Sequence, residues 1–255
     1  MPSPSEASDA VTDRLHAAGC VAAFEEATEL IIALPDATDL EAGVQRREHG
    51  EPLAWITGRA EFCARTIDVD PGVYVPRAQS EGLARRAADL LAADGRALDL
   101  CTGTGAVAAH LLATHPAASV VGIDADHRAA ACARRNGVPT VVADLAGPIG
   151  ADGAFDVVTA VAPYVPTGQL RLLSPDVQRW EPRLALDGGD DGLDLVRRVV
   201  EAAGRLLRPG GWLLIEVGGD QDRLLAPTLA AGGFADVVPW WDEEGDLRGL
   251  AAAAR

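Results

Sequence analysis

From residue 81 onward, short apolar runs alternate with Ala-rich amphipathic stretches, and this alternation constrains the fold more than any other feature of the sequence. The runs at 97–100, 119–123, 140–142, 155–160 and 212–217 read as strands. The stretches at 81–93, 106–114, 128–136, 193–207 and 220–231 read as helices, and two last strands follow near 235–239 and 247–253. Such a pattern implies parallel β-units with helices on both faces. Ligands in sheets of this kind gather at the carboxyl ends of the strands, near the switch in strand order.

Residues 1–80 follow another pattern. Segments 5–19 and 20–36 have helical spacing punctuated by Gly19 and Pro35, and 38–50 reads as a polar helix. Segment 51–81 mixes turn residues with β-like runs at 66–69 and 73–75. The expectation is a helical cap with a small hairpin over 1–80, followed by a sheet domain over 81–255. With 48% hydrophobic residues in 255, a sizeable core is available.

Composition removes several functional classes. The net charge is −16 and every basic residue is Arg, so the basic footprint that a nucleic-acid backbone requires is missing. No run approaches the roughly 18 apolar residues of a membrane span. Residues 1–14, "MPSPSEASDAVTDR", have neither the basic start nor the apolar centre of a secretory leader, which points to the cytoplasm. Cys20, Cys63, Cys101 and Cys132 form no CxxC pair, so neither a metal site nor a disulfide framework is expected.

Three motifs fall at predicted strand ends. In "ALDLCTGTGAVAAHL" a buried strand ends in Asp99 and a Gly-bearing loop, Cys101, Thr102, Gly103, Thr104 and Gly105, opens a helix. The two glycines let backbone approach a ligand, and the helix N-terminus offers free N–H groups. The loop lacks the GxGxxG spacing of a dinucleotide site, since Ala108 follows. In "VVGIDAD" an acid at the second strand's tip suits a pair of ribose hydroxyls; Asp124, with Ala125 beside it, is the choice, and Asp126 reads as the cap of the next helix. In "VVADLAG" Asp144, followed by Leu145, reads either as an adenine acceptor or as a turn acid. The acidic run 187–194, "DGGDDGLD", lacks the closing Glu of a calcium loop and reads as a turn before a helix.

These motifs, together with "FDVVTAVAPYVP", resemble the class I S-adenosylmethionine methyltransferases, and more narrowly the HemK/PrmC group that methylates a glutamine side-chain nitrogen. "EPLAWITGRAEF", "VYVPRAQSE", "WEPRLALDGGDDGLDLVRRV" and "LRPGGWLLIEVGGDQ" carry the likeness over roughly 51–250, and the first fifty residues fit only as a generic helical cap. The nearest likeness is to a related subgroup in which an Ala-Pro-Tyr-Val-Pro ending also occurs. The resemblance implies a Rossmann-like sheet, mostly parallel with its last strand antiparallel, and an N-terminal helical lid.

It further implies S-adenosyl-L-methionine as cofactor, with Asp99, the 101–105 loop, Asp124, Ala125, Asp144, Leu145 and Val161 around it. In the group, a motif Asn and a neighbouring carbonyl hold both N–H groups of the target amide, which positions a poor nucleophile for in-line transfer. This chain has Val161 at the Asn position. The Ala162 carbonyl remains as one acceptor, and Pro163 and Tyr164 remain to shape the site. Arg77 either reaches toward substrate or pairs with an acid such as Glu81, and pairing is the favoured reading. The expected partner is a release-factor-like glutamine side chain or a small-molecule acceptor. Rival readings are cofactor-internal chemistry, a DNA amino-methyltransferase that the acidic charge opposes, and a non-catalytic cofactor-binding protein.

Overall fold

The structure is a computed structural model that describes residues 4–145, 147, 149–150 and 152–255, with side chains from residue 8 onward. Residues 1–3 of the stretch read for a leader, and Ala146 of the third motif, lie outside the described residues.

Four helices come first: α1 (Pro4–Ala17), α2 (Ala23–Ala33), α3 (Ala37–Glu48) and α4 (Leu53–Thr57). Asp36 starts α3 by accepting the N–H groups of Thr38 at 2.8 Å and Asp39 at 3.2 Å. Leu15, Ala27, Leu30, Val44 and Ile56 are buried together between these helices. Arg14 binds Glu41 at 2.7 Å and Glu48 at 2.8 Å, which ties α1 to α3.

The hairpin differs from its expected form. Its strands are β1 (Arg59–Phe62) and β2 (Arg65–Asp68), antiparallel with Phe62 opposite Arg65, and 73–75 is not a strand. The connecting Cys63 (φ 50°) and Ala64 (φ 55°) take left-handed conformations that a two-residue hairpin turn requires but that Asn and Gly usually supply. Segment 73–75 lies between Gly72 and Pro76, and the Val73 carbonyl accepts the Trp55 indole N–H at 3.0 Å. Phe62 and Ile67 bury against the sheet's helical layer and not among the first four helices.

The remaining elements are α5 (Glu81–Leu90), β3 (Arg96–Leu100), α6 (Ala106–Thr114), β4 (Ser119–Asp124), α7 (His127–Arg135), β5 (Thr140–Val142), β6 (Phe155–Ala160), α8 (Pro175–Trp180), α9 (Asp194–Leu206), β7 (Leu207–Ile215), α10 (Gln221–Ala231), β8 (Phe234–Trp241) and β9 (Leu247–Ala254). Among the described residues seven strands form one sheet in the order β5-β4-β3-β6-β7-β9-β8. Its first five pair in parallel, and β9 runs antiparallel to both β7 and β8. The expected Rossmann-like sheet with an antiparallel last strand is therefore present. Short 3-10 turns (Thr167–Leu172, Arg183–Ala185) and α8, none of them foreseen, fill the stretch between β6 and α9.

Strand alternation divides the core into two layers. Leu98, Leu213 and Ile215 face Val196, Val199, Leu206 and Leu225 of α9 and α10. Ala97 and Leu214 face Leu83, Leu111 and Ala133 of α5, α6 and α7. The chain winds outward from β3 in both directions, so the switch point is the crevice at the carboxyl ends of β3 and β6.

Candidate active site

The loop after β3 is shaped from below. Asp99 is buried and accepts the hydroxyls of Thr102 and Thr159, each at 2.6 Å, so both of its oxygens are engaged within the protein. Burial pushes its carboxyl up to about 6, against the pull of those hydroxyls. The Thr102 N–H reaches the Ile123 carbonyl at 3.0 Å, which ties the loop to β4. Gly105 (φ +80°) opens α6, and an added Cβ there would lie 3.0 Å from Ala133 and Val138. At Gly103 (φ +57°) a Cβ would meet nothing within 4 Å, so this glycine faces open space. Burial raises the Cys101 thiol, with the Asp124 and Asp99 charges adding to the effect, so it stays protonated.

Asp124 ends β4. Its carboxylate accepts the N–H groups of Gly103 and Asp126, each at 2.9 Å, and burial raises its pKa. A carboxylate has about four acceptor positions, so these bonds leave room for a ligand hydroxyl. Asp126 caps α7 through the Arg128 N–H at 2.8 Å, as expected. Asp144 is exposed and pairs with Arg198 at 2.8 Å. Gly103, Ile123, Asp124, Ala143, Asp144 and Leu145 border one cavity of about 470 Å³, and Ala125 also lines it. That volume falls within the roughly 300–1,000 Å³ typical of ligand sites. The residue set fits an adenosine-bearing cofactor: acids stand at two successive strand tips, apolar side chains lie between them, and open backbone at Gly103 faces the space.

A second cavity, of about 340 Å³, lies beyond β6 and is lined by Arg77, Gln79, Ala162, Tyr164 and Asp176 among others. Tyr74, Val161 and Ala185 line both cavities and so form the partition between them. Pro163 lines the first cavity only. Burial pushes the Tyr74 phenol up to about 12 and, together with the neighbouring Glu216 charge, raises Tyr164 as well, so both hydroxyls remain neutral.

Tyr164 is held from both ends. Its hydroxyl donates to Glu216 Oε1 at 2.8 Å, and its carbonyl accepts from Gln221 Nε2 at 2.8 Å. Gln79 Nε2 donates to the Tyr164 hydroxyl at 2.9 Å and to Glu216 Oε1 at 3.0 Å, while Ser80 donates to Glu216 Oε2 at 2.5 Å. The acidic run supports the same segment: Asp187 accepts the Thr167 hydroxyl at 2.5 Å, and Gly188 N–H reaches the Val165 carbonyl at 2.9 Å.

Arg77 does pair with an acid, but the acid is Glu181, a hundred residues away, and not Glu81. Glu81 instead accepts the Cys63 N–H at 2.8 Å and pairs with Arg85. The Arg77 guanidinium also lies 5.0 Å from the centre of the Tyr74 ring. Tyr74, Gln79, Ser80, Glu216 and Gln221 went unforeseen. The one signal for Glu216 was a lone acid directly after the apolar run of β7, at the sheet edge where ligands gather.

Known proteins share this architecture and much of the sequence. A family model described as a methyltransferase domain matches residues 97–180. The release factor glutamine methyltransferase of Geobacter sulfurreducens is 38% identical over 208 residues, which are 79% of this chain and 73% of that protein. That of Cereibacter sphaeroides is 34% identical over 272 residues, 97% of each chain, so the likeness extends through the first fifty residues as well. Among solved structures, a ribosomal protein methylase from Lactobacillus delbrueckii subsp. bulgaricus has a TM-score of 0.54 at 16% identity, covering 74% of this chain and 85% of its own. A methyltransferase from Pyrococcus furiosus has the same score at 18% identity, covering 73% and 87%. These two speak for the fold alone. With the curated relatives matched over most of their length, and with a cavity at the switch point of the sheet, this chain belongs to the release factor glutamine methyltransferase family of class I S-adenosylmethionine-dependent methyltransferases.

Proposed function

We propose that this methyltransferase acts on an acceptor other than the release-factor glutamine of its relatives. The observation that carries the reading is Val161: it stands in the partition between the two cavities and has no hydrogen-bonding side-chain atom. Bound S-adenosylmethionine supplies a methyl group activated by a sulfonium centre.

On this reading the surrounding residues take the following roles. Thr102–Gly105 cradle the methionine portion, with Cys101 beside them and Asp99 anchoring the loop from beneath. Asp124 and the adjoining Ala125 receive the ribose, and Asp144 and Leu145 border the adenine. Val161 and Pro163 wall the transfer point, and the Ala162 carbonyl offers one acceptor. Tyr164 and Arg77 shape the acceptor cavity, and residues 1–80 act as a lid. Transfer then depends on positioning, with no general base assigned.

A small-molecule acceptor is the main variant of this reading. Release-factor glutamine is the second reading, favoured by identity to enzymes of that name. Labelled cofactor incubated with cell extract, split into protein, nucleic-acid and small-molecule fractions, separates them. Label is expected outside release factor, and bulk labelling of release factor would overturn the proposal. For the cofactor site, Asp124→Ala is expected to weaken S-adenosylhomocysteine at least fivefold by calorimetry, from the loss of about 1 kcal/mol of ribose hydrogen bonding. Equal affinity would remove Asp124 from the site.

A further inference from the structure

We infer that the second cavity grips its acceptor by a carboxylate, with Arg77 as the residue that holds it. The inference rests on the altered-acceptor reading above and takes its small-molecule form: the acceptor is a small organic acid. The atom that receives the methyl group lies elsewhere in that molecule, toward Val161. A glutamine inside a protein chain offers no carboxylate of its own, so this handle excludes it.

The Arg77–Glu181 pair is made at one point only. Arg77 Nη2 donates to Glu181 Oε1, while Glu181 Oε2 is buried and has no hydrogen-bond partner among the described residues. A guanidinium that faces a carboxylate squarely engages both oxygens through two parallel N–H bonds. Here the second bond is forgone, although an unpaired buried oxygen is costly. The fork is therefore turned away from Glu181. Of its five N–H donors, Glu181 takes one and the neighbouring Tyr74 hydroxyl at most another. The Tyr74 ring, 5.0 Å from the guanidinium carbon, supports its face. The Arg77 side chain is 31% exposed and lines the cavity, so donors remain for a ligand there.

The acids around the cavity already have partners. Glu216, behind Tyr164, accepts the Ser80 hydroxyl at 2.5 Å and the Tyr164 hydroxyl at 2.8 Å. Against the effect of burial, the Ser174 hydroxyl, the Val177 N–H and the Arg47 charge hold Asp176 below the usual carboxylate range. Arg77 is the one cation among the described residues that line the cavity, and Leu173, Val177 and Leu186 supply apolar wall. A single planar fork matches the two coplanar oxygens of a carboxylate. A phosphate dianion would bring a second charge with no second cation to meet it. A carboxylate paired with Arg77 is held and partly neutralised, which leaves the nucleophilic role to another atom of the acceptor.

The test uses two probes of the same shape, butyrate and butyramide, which differ in the charge of the end group. Each is titrated at one ionic strength into S-adenosylhomocysteine-loaded protein and followed by NMR. Wild type is expected to favour butyrate at least tenfold. Arg77→Lys keeps a positive charge opposite Glu181 but loses the fork. It is expected to reduce that preference at least fivefold, with affinity for S-adenosylhomocysteine within twofold of wild type as the sign of an intact fold. If the variant does not hold S-adenosylhomocysteine, the wild-type comparison alone decides. Equal binding of the two probes by wild type, or a full preference retained in Arg77→Lys, would overturn the inference, since Arg77 would then serve only to pair with Glu181. Either result would leave standing the altered-acceptor reading, which depends on where cofactor label goes.

Discussion

Gly192→Ala is expected to cost about 3 kcal/mol or more of stability and to reduce methyl transfer at least tenfold, with cofactor affinity almost unchanged. Gly192 has φ +78°, a conformation that costs an L-residue about 1–2 kcal/mol. A Cβ there would lie 2.2 Å from the Tyr164 carbonyl oxygen, 2.5 Å from Gln221 Nε2 and 3.0 Å from the Pro166 nitrogen. These atoms cannot all yield in place, because the Gln221 amide is bonded to the Tyr164 carbonyl at 2.8 Å and to the Asp191 carbonyl at 3.1 Å. The Tyr164 segment must move, and breaking that bridge adds about 1 kcal/mol. The three atoms that a Cβ would strike belong to Tyr164, Pro166 and Gln221 and not to the Gly103–Asp124 cavity, so cofactor affinity is expected to change little. Thermal unfolding, expected to shift by roughly 6–12 °C, and calorimetry with S-adenosylhomocysteine measure the two effects separately. Wild-type melting together with wild-type transfer would show that the turn does not support Tyr164.

Val161→Asn distinguishes the acceptor readings most sharply. If the protein is an impaired glutamine methyltransferase, Asn restores the missing hydrogen-bond acceptor. Methylation of a Gly-Gly-Gln release-factor substrate would then rise by the roughly 5- to 150-fold that 1–3 kcal/mol implies. The expected result is different: less than a fivefold gain on that substrate, and reduced labelling of whichever fraction wild type modifies. Val161 packs on one side against the buried layer that contains Phe62, Leu83 and Val107, so an Asn there would press an amide against apolar side chains. Assaying both proteins on both substrates checks this. A large gain on the glutamine substrate would defeat the altered-acceptor reading.

The sheet was legible because its strands are short apolar runs with punctuation at both ends, and β5 and β6 fall where the pattern places them. Asp126 was legible too, because an acid two residues before a helical amide is a local arrangement. The hairpin was legible only in part: the run at 66–69 falls on β2, but its partner was read at 73–75 and is Arg59–Phe62. Its turn uses Cys63 and Ala64, whose left-handed backbone no propensity announces, and its first strand, "RAEF", alternates over only four residues, too short a run to stand out. The partner of Arg77 was also hidden, since Glu181 comes close only through folding. Within the site, the strand-tip acids stood out by position, while Gln79, Ser80 and Glu216 did not. Each is ordinary in sequence and becomes part of one hydrogen-bonded group only when the turn before α5 is packed against the end of β7.

The place of β9 has a consequence for synthesis on the ribosome. Among the described residues β8 pairs only with β9, and β9 also covers the free edge of β7. Until Leu247–Ala254 has left the exit tunnel, β7 presents an unpaired edge and β8 has no strand to join. The ligand-facing half of the sheet can assemble during translation, but its far side must wait for this strand. Nascent chains stalled before it would expose two open strand edges to one another on a polysome, where β-pairing between neighbouring chains becomes the competing reaction.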